Sequence, residues 1–136
     1  MRPHLSTENM NLNPQVIVGK STIKKAGRGI FANKNFKPGD VIETCETLIF
    51  PGVQAQLIFK NTLLNNYVFS HSDGVRTILC LGNGSLYNHR NPSNATYNFD
   101  GKNKHMIMSA VEPIKKGDEI FINYGGAPTA EWGYEF

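Results

Sequence analysis

A short turn-and-strand pattern occurs twice in this sequence and limits what the chain can fold into. Both copies, residues 36–42 and 114–122, read apolar residue, lysine, any residue, Gly-Asp, and then a strand-like run. In the first copy Pro38-Gly39 is typical of the centre of a type II turn, where glycine supplies the positive φ. Since each turn leads into a strand, the repeat predicts a mainly β body of short, bent strands with little helix.

The composition is that of one globular domain of 136 residues, 40% hydrophobic and 18% charged. The net charge of +3 is too small to indicate nucleic-acid binding, and the basic residues are dispersed. No apolar run approaches the roughly 20 residues of a membrane span, and the N-terminus lacks a secretory signal. Cys45 and Cys80 have no C-x-x-C partner, so buried free thiols are expected rather than a disulfide or zinc site. We therefore expect a soluble, intracellular protein without a direct nucleic-acid or membrane partner.

The remaining pattern divides the chain into an arm, a body and a tail. Residues 1–14 are polar and aperiodic and predict a flexible N-terminal arm, 15–126 form the body, and the aromatic tail 127–136 is expected to dock on it. Residues 54–66 have a partial 3.6-residue periodicity and are the best helix candidate. The predicted strands are 15–19, 30–32, 41–50, 67–70, 75–81, 96–99, 105–111 and 119–122.

Residues 82–94 form a stretch of Gly, Asn and Ser between two predicted strands. Few of its side chains can fill a core, and more of them can hydrogen-bond than a turn requires. Taken alone the stretch fits a surface loop, but long irregular segments in small domains are often functional. A second glycine-rich element, Gly27-Arg28-Gly29, predicts a tight turn with exposed backbone N–H groups, although a single G-x-G is usually an ordinary turn.

Four segments in a fixed order resemble the motifs of one enzyme family. They are 27–32 (GRGIFA), 67–70 (YVFS), Asn88-His89 with Asn94, and 117–124 (GDEIFINY). From about residue 16 to residue 124 the chain resembles a SET domain, a β-clip fold that methylates protein lysines with S-adenosylmethionine. In length, and in lacking flanking cysteine-rich modules, it is most similar to the free-standing SET proteins of large DNA viruses and bacteria.

The resemblance implies a cofactor site made from separate parts of the chain. The backbone of the G-x-G motif would hold the methionine part of S-adenosylmethionine. The Asn-His pair would bind the amino group and the adenine, largely through backbone and the Asn amide. An aromatic residue of the tail would cover the adenine. The cofactor-binding residues expected from the resemblance are Gly27, Arg28, Gly29, Asn88, His89, Tyr124 and Trp132.

The resemblance also implies a channel for the substrate lysine. Tyr124 matches the tyrosine that borders the point of methyl transfer, and Tyr67 and Tyr97 match aromatics that line the channel, so these three are the expected catalytic residues. The tail aromatics Trp132, Tyr134 and Phe136 could complete this channel or cover the adenine. Free lysine has a pKa of about 10.4, and a dry aromatic channel lowers that pKa by disfavouring the charged amine. A conventional general base is therefore not required.

Single residues of this set have ordinary interpretations, and some depart from the family pattern. Tyr67 and Tyr97 alone would more often be core aromatics, and Glu119 is expected to anchor hydrogen bonds rather than to act as an acid. Pro92 stands one place earlier than in the family, and Asn123 replaces an aspartate before the closing tyrosine. The cysteines that follow many SET domains are missing, so no structural zinc is expected.

Two other classes of protein remain open. Residues 27–42 also resemble SAF-type carbohydrate-binding β-clip domains, but these lack an Asn-His pair followed by a Gly-Asp-Glu-Ile…Tyr motif. The other class is a degenerate SET domain that binds a peptide without turnover. For the enzyme, the expected partner is a lysine-containing protein with a histone tail as the leading class, and analogy predicts a homodimer. Its compartment would be the cytoplasm of a bacterium, or the host nucleus for a viral or effector protein.

Overall fold

A computed structural model gives residues 13–60 and 62–132, so most of the predicted arm and the aromatics Tyr134 and Phe136 lie outside the described residues. Within these ranges the chain is mainly β, as predicted, with short strands and a single α-helix, α1 (Gly52–Phe59). The strands are β1 (Val16–Lys20), β2 (Arg28–Ala32), β3 (Val41–Phe50), β4 (Val68–Ser70), β5 (Thr77–Cys80), β6 (Asn88–His89), β7 (Ala95–Asp100), β8 (His105–Ala110) and β9 (Glu119–Ile122).

The strands form two sheets with different connectivity. The first sheet has the order β1-β2-β9-β6, and the second has the order β4-β5-β3-β8-β7. Neighbouring strands are antiparallel except for β6, which runs parallel to β9 with Asn88 opposite Phe121 and His89 opposite Ile122. The sequence predicts the other strands to within a few residues but not β6. Its two residues have low β-propensity and depend on a partner far along the chain.

Both copies of the repeated motif form the same turn. The N–H of the last residue donates to the carbonyl of the first, at 3.0 Å in residues 37–40 and at 2.9 Å in residues 115–118. Gly39 and Gly117 have φ angles of +89° and +95°, as the third position of a type II turn requires. In each copy the aspartate carboxylate also accepts the N–H of the lysine that opens the turn, at 2.8 and 3.0 Å.

The two turns also hold each other in a pseudo-symmetric pair. Phe36 and Ile114, the apolar residues that open the two copies, exchange both of their N–H···O bonds, at 2.8 and 3.0 Å. Each turn glycine donates to the end of a strand beside the other copy: Gly39 to the Ala110 carbonyl and Gly117 to the Ala32 carbonyl, both at 2.8 Å. The sequence repeat is therefore also a repeat of contacts, and it joins β2 and β9 of the first sheet to β3 and β8 of the second.

The second sheet is curled so strongly that its two edge strands meet through their side chains. Phe69 of β4 lies 4.9 Å from Tyr97 of β7, measured between ring centroids. His71, just after β4, lies 5.6 Å from Phe99 of β7 in an edge-on arrangement. Right-handed twist accumulates over five strands and makes this curvature favourable. The contact places Tyr97, one of the expected channel residues, against the opposite edge of the sheet.

One hydrophobic core lies between the sheets, and nearly all of its side chains come from strands or from the two repeated turns. The aliphatic residues of β9 contribute most regularly, because every residue of that strand is buried. The fully or nearly fully buried members include Ile30, Ala32, Phe36, Ile42, Ile78, Ala95, Met106, Met108, Ala110, Ile114, Ile120 and Ile122.

The start of the Asn/Gly-rich stretch packs against the second sheet instead of forming a surface loop. A 3₁₀ turn, Gly84–Leu86, follows β5, and a Cβ atom on the buried Gly84 would lie 2.6 Å from Cys80 Cβ and 2.8 Å from Cys45 Sγ. Glycine is therefore required there by close approach. Both cysteines are free and buried, as predicted, and burial raises the pKa of the Cys80 thiol to about 12.

The predicted helix over residues 54–66 is only partly correct. The α-helix α1 ends at Phe59, and a separate 3₁₀ turn covers Leu63–Asn66. Thr62 interrupts the helix because its backbone is extended, with φ −107° and ψ 151°, while its hydroxyl donates to the Ile58 carbonyl at 2.6 Å. Such side-chain bonds to the backbone compete with continued helix. No helix in the described part of the chain is long and apolar enough to cross a membrane.

The paired turns predict equal costs for two matched substitutions. Gly39→Ala and Gly117→Ala each force a Cβ atom into a positive-φ position where it meets no other atom within 4 Å. The cost of each is then backbone strain alone, about 1–2 kcal/mol of unfolding free energy. Gly101→Ala is the control, because Gly101 has no positive φ and only one neighbouring atom at 3.9 Å. Urea denaturation measures all three, and clearly different costs for the two turns would contradict their equivalence.

Candidate functional site

The carboxylate of Glu119, the first residue of β9, joins three segments of the chain. It is 5% exposed and accepts the Thr22 N–H and the Thr22 hydroxyl, both at 2.6 Å, and the Ser21 hydroxyl at 2.8 Å. The amide of Asn88 donates to Oε2, the oxygen that Ser21 also binds, at 3.3 Å. Burial by itself would raise the pKa of this carboxyl, but the bonds from Thr22, Ser21 and Asn88 outweigh burial and lower the pKa below its ordinary value. The expected role of Glu119 as a hydrogen-bond anchor agrees with these contacts.

The second glycine of the G-x-G motif is required by this anchor. A Cβ atom on the buried Gly29 would overlap Glu119 Oε2 and lie 3.1 Å from Asn88 Nδ2. Gly27 serves a different purpose, because it has a φ of +76° and a Cβ atom there would meet nothing within 4 Å. The motif is thus a turn at Gly27 followed by a close approach at Gly29, with the exposed Arg28 between them.

The anchor also fixes which way the Asn88 amide faces. A carboxylate can only accept hydrogen bonds, so the Asn88 Nδ2 group must face Glu119, and it also donates to the Arg28 carbonyl at 2.8 Å. Among the described residues, no donor contacts the Asn88 Oδ1 atom. This oxygen is therefore an oriented acceptor beside the G-x-G turn.

The buried Asn94 ties the end of the Asn/Gly-rich stretch to β9. Its Nδ2 donates to the Glu119 carbonyl at 3.0 Å, and its Oδ1 accepts the Phe121 N–H at 2.7 Å. Pro92, one place earlier than in the family pattern, follows a cis Asn91–Pro92 bond. Asn88 and Asn94 nevertheless both reach the same strand.

The imidazole of His89 contacts Tyr124 through both backbone and ring. His89 Nδ1 accepts the Tyr124 N–H at 3.0 Å, and the two rings lie 5.2 Å apart at 47°. Accepting this bond requires an unprotonated Nδ1, and partial burial lowers the pKa of His89 in the same sense. Expectations from the sequence concern mainly the backbone of His89, whereas in the structure its side chain helps to position Tyr124.

Three tyrosines meet beside this pair. The Tyr124 hydroxyl donates to the Tyr87 carbonyl at 2.9 Å, and the Tyr97 hydroxyl lies 3.4 Å from the Tyr124 carbonyl. Tyr87 is itself held by its hydroxyl, which donates to Glu43 at 2.7 Å. Burial, together with the nearby Tyr67 and Tyr97, raises the pKa of Tyr124 to about 12. The Tyr124 phenol therefore remains protonated at neutral pH and cannot act as a base there.

Trp132, the single tryptophan of the chain, also packs against Tyr124. Its ring lies 5.7 Å from the Tyr124 ring in an edge-on arrangement and 6.2 Å from the His89 ring. The indole is about a third exposed, at 36%. The rings of His89, Tyr124 and Trp132 form one aromatic surface.

Several residues of this arrangement were not expected to belong to it. Ser21 and Thr22 lie before the G-x-G motif, and no spacing rule links them to a carboxylate so far along the chain. Asn123 is fully buried and binds the segment that leads to Trp132. Its replacement of an aspartate in the 117–124 motif marks it in the sequence, but does not predict these bonds. Within residues 13–60 and 62–132 no group of His, Cys, Asp and Glu is placed to hold a metal ion.

Replacement of Gly29 should disturb the site more than its small change in volume suggests. Gly29→Ala is expected to cost about 1–3 kcal/mol of unfolding free energy, because the added methyl displaces Glu119 or Asn88. Gly101→Ala, with room for its methyl group, should stay within about 0.5 kcal/mol. Thermal or urea unfolding of the two variants provides the comparison, and an equal effect would contradict the close approach at Gly29.

The hydrogen-bonded carboxylate predicts a specific loss of stability in acid. Because the pKa of Glu119 is lowered in the folded state, the unfolded chain binds the proton more readily. The contribution is fully present above the ordinary value of about 4.3 and is lost as the pH falls through the lowered pKa. Glu119→Gln should lower stability at neutral pH by about 1–3 kcal/mol, since an amide N–H must face a donor, and should flatten the acid dependence.

The control for this measurement is Asp100→Asn. The pKa of Asp100 is also lowered, by bonds from Asn103, but Asp100 does not contact the site. Unfolding free energies from about pH 6 to about pH 3 should change shape more in Glu119→Gln than in Asp100→Asn. Identical pH profiles for the wild type and Glu119→Gln would refute the anchor.

Comparison with known proteins agrees with the order of these motifs. The sequence model of the SET domain matches residues 27–125. A Schizosaccharomyces pombe relative, a histone-lysine N-methyltransferase specific for H3 lysine-37, is 30% identical over 102 residues, which cover 75% of this chain and 69% of the relative.

Solved structures give the same result for the fold. A Plasmodium falciparum protein, provisionally assigned as a histone methyltransferase, has 28% identity and a TM-score of 0.62, with 84% of this chain and 96% of that chain covered. The Chaetomium thermophilum polycomb repressive complex 2 bound to S-adenosylmethionine has 20% identity and a TM-score of 0.69, over 82% of this chain and 15% of the larger one. These relatives come from fungi and a protozoan, so the predicted likeness to viral and bacterial proteins stays a prediction. The predicted fold class is confirmed, and the chain belongs to the SET-domain family of protein-lysine methyltransferases.

Proposed function

We propose that this protein transfers a methyl group from S-adenosylmethionine to the ε-amine of a lysine held between Tyr67, Tyr97 and Tyr124. The observation that carries the proposal is the contact of Tyr97 with Tyr124, whose backbone N–H is in turn held by His89, the residue after Asn88. Phenol rings that can surround an amine, and an amide oxygen that can accept from a cation, suit a reaction between an amine and a sulfonium. S-adenosylmethionine supplies the electrophilic methyl group when it is bound.

The donor set beside the G-x-G turn fits that cofactor. Asn88 Oδ1 is an acceptor without a donor among the described residues, which suits the ammonium of an amino acid. The turn at Gly27 leaves open space above its backbone, so a ligand can approach the main chain closely. His89 and Trp132 present aromatic faces of the kind on which an adenine stacks.

Tyr124 would orient the reacting groups rather than exchange protons with them. Its hydroxyl donates its hydrogen to the Tyr87 carbonyl, so toward the reactants the oxygen can act only as an acceptor. Oxygen lone pairs stabilise positive charge near them. The amine must arrive neutral, and a partly buried channel of Tyr67, Tyr97 and Phe69 disfavours its charged form. No protein base is needed once the lysine has lost its proton to solvent.

The class of substrate follows from the relatives as a proposal. The Schizosaccharomyces pombe relative is named for a lysine of histone H3. We extend this to a lysine in a histone tail as the leading substrate of the present chain. Supporting this, the edges of β4 and β7 meet at Tyr97, so an extended peptide could lie along them and insert one lysine. A second copy of the chain is a further proposed partner, by analogy with small SET proteins that consist of this domain alone.

Two measurements test the proposal. Isothermal titration should detect binding of S-adenosylmethionine, and mass spectrometry should detect methylation of lysine in a histone peptide library. Tyr124→Phe should lower kcat by about 10²–10³-fold, the range found when one oriented polar group at a reacting centre is removed, with cofactor affinity nearly unchanged. Thr47→Val is the control, because its hydroxyl donates to the Lys104 carbonyl outside the site.

The outcomes separate the alternatives. Absence of S-adenosylmethionine binding would overturn the proposed methyltransferase activity. Binding without any methylated product would indicate a degenerate SET domain. Full activity of Tyr124→Phe would leave the enzyme standing but would remove the role given to the Tyr124 hydroxyl.

A further inference from the structure

Both polar atoms of the Asn123 side chain form hydrogen bonds with the segment that follows it. This residue lies between β9 and Tyr124 and is 0% exposed. Its Nδ2 group donates to the Ala130 carbonyl at 2.7 Å and to the Pro128 carbonyl at 3.3 Å. Its Oδ1 atom accepts the Gly125 N–H at 2.9 Å. One buried amide thus fixes three points of the chain between Tyr124 and Trp132.

These bonds require an amide and exclude a carboxylate of the same shape. Both Pro128 and Ala130 present carbonyl oxygens, which can only accept hydrogen bonds. An ionised aspartate at position 123 would place oxygen against oxygen in a buried position, where the loss of two bonds is compounded by desolvation of the charge. The Asn in place of the family's Asp is therefore matched to this particular C-terminal segment.

Other contacts bring the same segment back onto the body. The Ser93 N–H donates to the Pro128 carbonyl at 3.0 Å, and the Ala130 N–H closes a turn with the Ala127 carbonyl, also at 3.0 Å. At Gly125 a Cβ atom would lie 2.9 Å from both Ala130 Cβ and the Glu131 carbonyl oxygen. The segment therefore folds back tightly against the end of β9.

We propose that Asn123 is a positioning residue that seats Trp132 beside Tyr124 and His89, and that it controls cofactor affinity through this seat. Trp132 is two residues beyond the Ala130 carbonyl that Asn123 binds, and its partly exposed ring continues the aromatic surface of the other two. The statement that Asn123 controls cofactor affinity rests on the proposed function. The statement that Asn123 holds Trp132 in its seat beside Tyr124 and His89 does not.

The single tryptophan allows the seat to be measured without any cofactor. In Asn123→Asp, the emission of Trp132 should shift to the red and become more accessible to a neutral quencher such as acrylamide, because the indole moves into water. Asn98→Asp is the matched control, since it adds the same charge at an exposed position on β7. If Asn123→Asp does not fold, Asn123→Ala removes the donors without burying a charge and is measured in the same way.

Cofactor kinetics test the second part. Displacement of Trp132 in Asn123→Asp should raise KM for S-adenosylmethionine about tenfold, which corresponds to about 1.4 kcal/mol, with a smaller effect on kcat. Trp132→Ala should raise the same KM. Because both changes act on one seat, Asn123→Asp should have little further effect in the Trp132→Ala background.

Three results would each overturn part of the inference. If Trp132 emission and quenching were unchanged in both Asn123 variants, Asn123 would not position Trp132. A full additional rise in KM in the double variant would show that Asn123 acts independently of Trp132. A wild-type protein with a quenchable, Asn123-dependent tryptophan but no affinity for S-adenosylmethionine would refute the proposed function while the seat remained.

Discussion

A buried carboxylate at the start of β9 connects the parts of the site that are farthest apart in sequence. Glu119 accepts hydrogen bonds from the Ser21-Thr22 loop and from Asn88 in β6, and it occupies the space that a side chain on Gly29 would need. Burying a carboxylate is costly unless donors surround it. Because these donors share one carboxylate, they cannot move independently of each other. The carboxylate also fixes the orientation of the Asn88 amide.

The interlocked turns explain why β9 is available as a platform for that carboxylate. The turn at 115–118 reverses the chain so that β9 begins beside the core, and the turn at 37–40 does the same for β3. Because each turn is held by the strand beside the other, the two sheets have one relative placement. The site lies along β9, where that placement brings β6 and Tyr124 together.

Tyr124 has two kinds of neighbour, and they match the two reactants proposed for this enzyme. The first kind is phenolic: burial, together with the nearby Tyr67 and Tyr97, keeps the Tyr124 phenol protonated. The second kind consists of the His89 imidazole and the Trp132 indole. A neutral amine favours the first environment and a large planar ligand the second. Asn123 connects them, because its backbone continues into Tyr124 while its amide holds the segment that carries Trp132.

The sequence by itself determined the mainly β class, the two turns, most strands and the motif residues, because these depend on local rules: Gly at positive φ, Pro-Gly turns and alternating apolar runs. It also placed Gly27-Arg28-Gly29, Asn88 and Tyr124 in one family pattern. Only the tertiary structure decided the end of α1 at Phe59, the pairing of β6 with β9, and the hydrogen-bond partners of Glu119 and Asn123. Those features depend on hydrogen bonds between residues remote in sequence or on donors and acceptors counted in three dimensions, for which no local pattern exists.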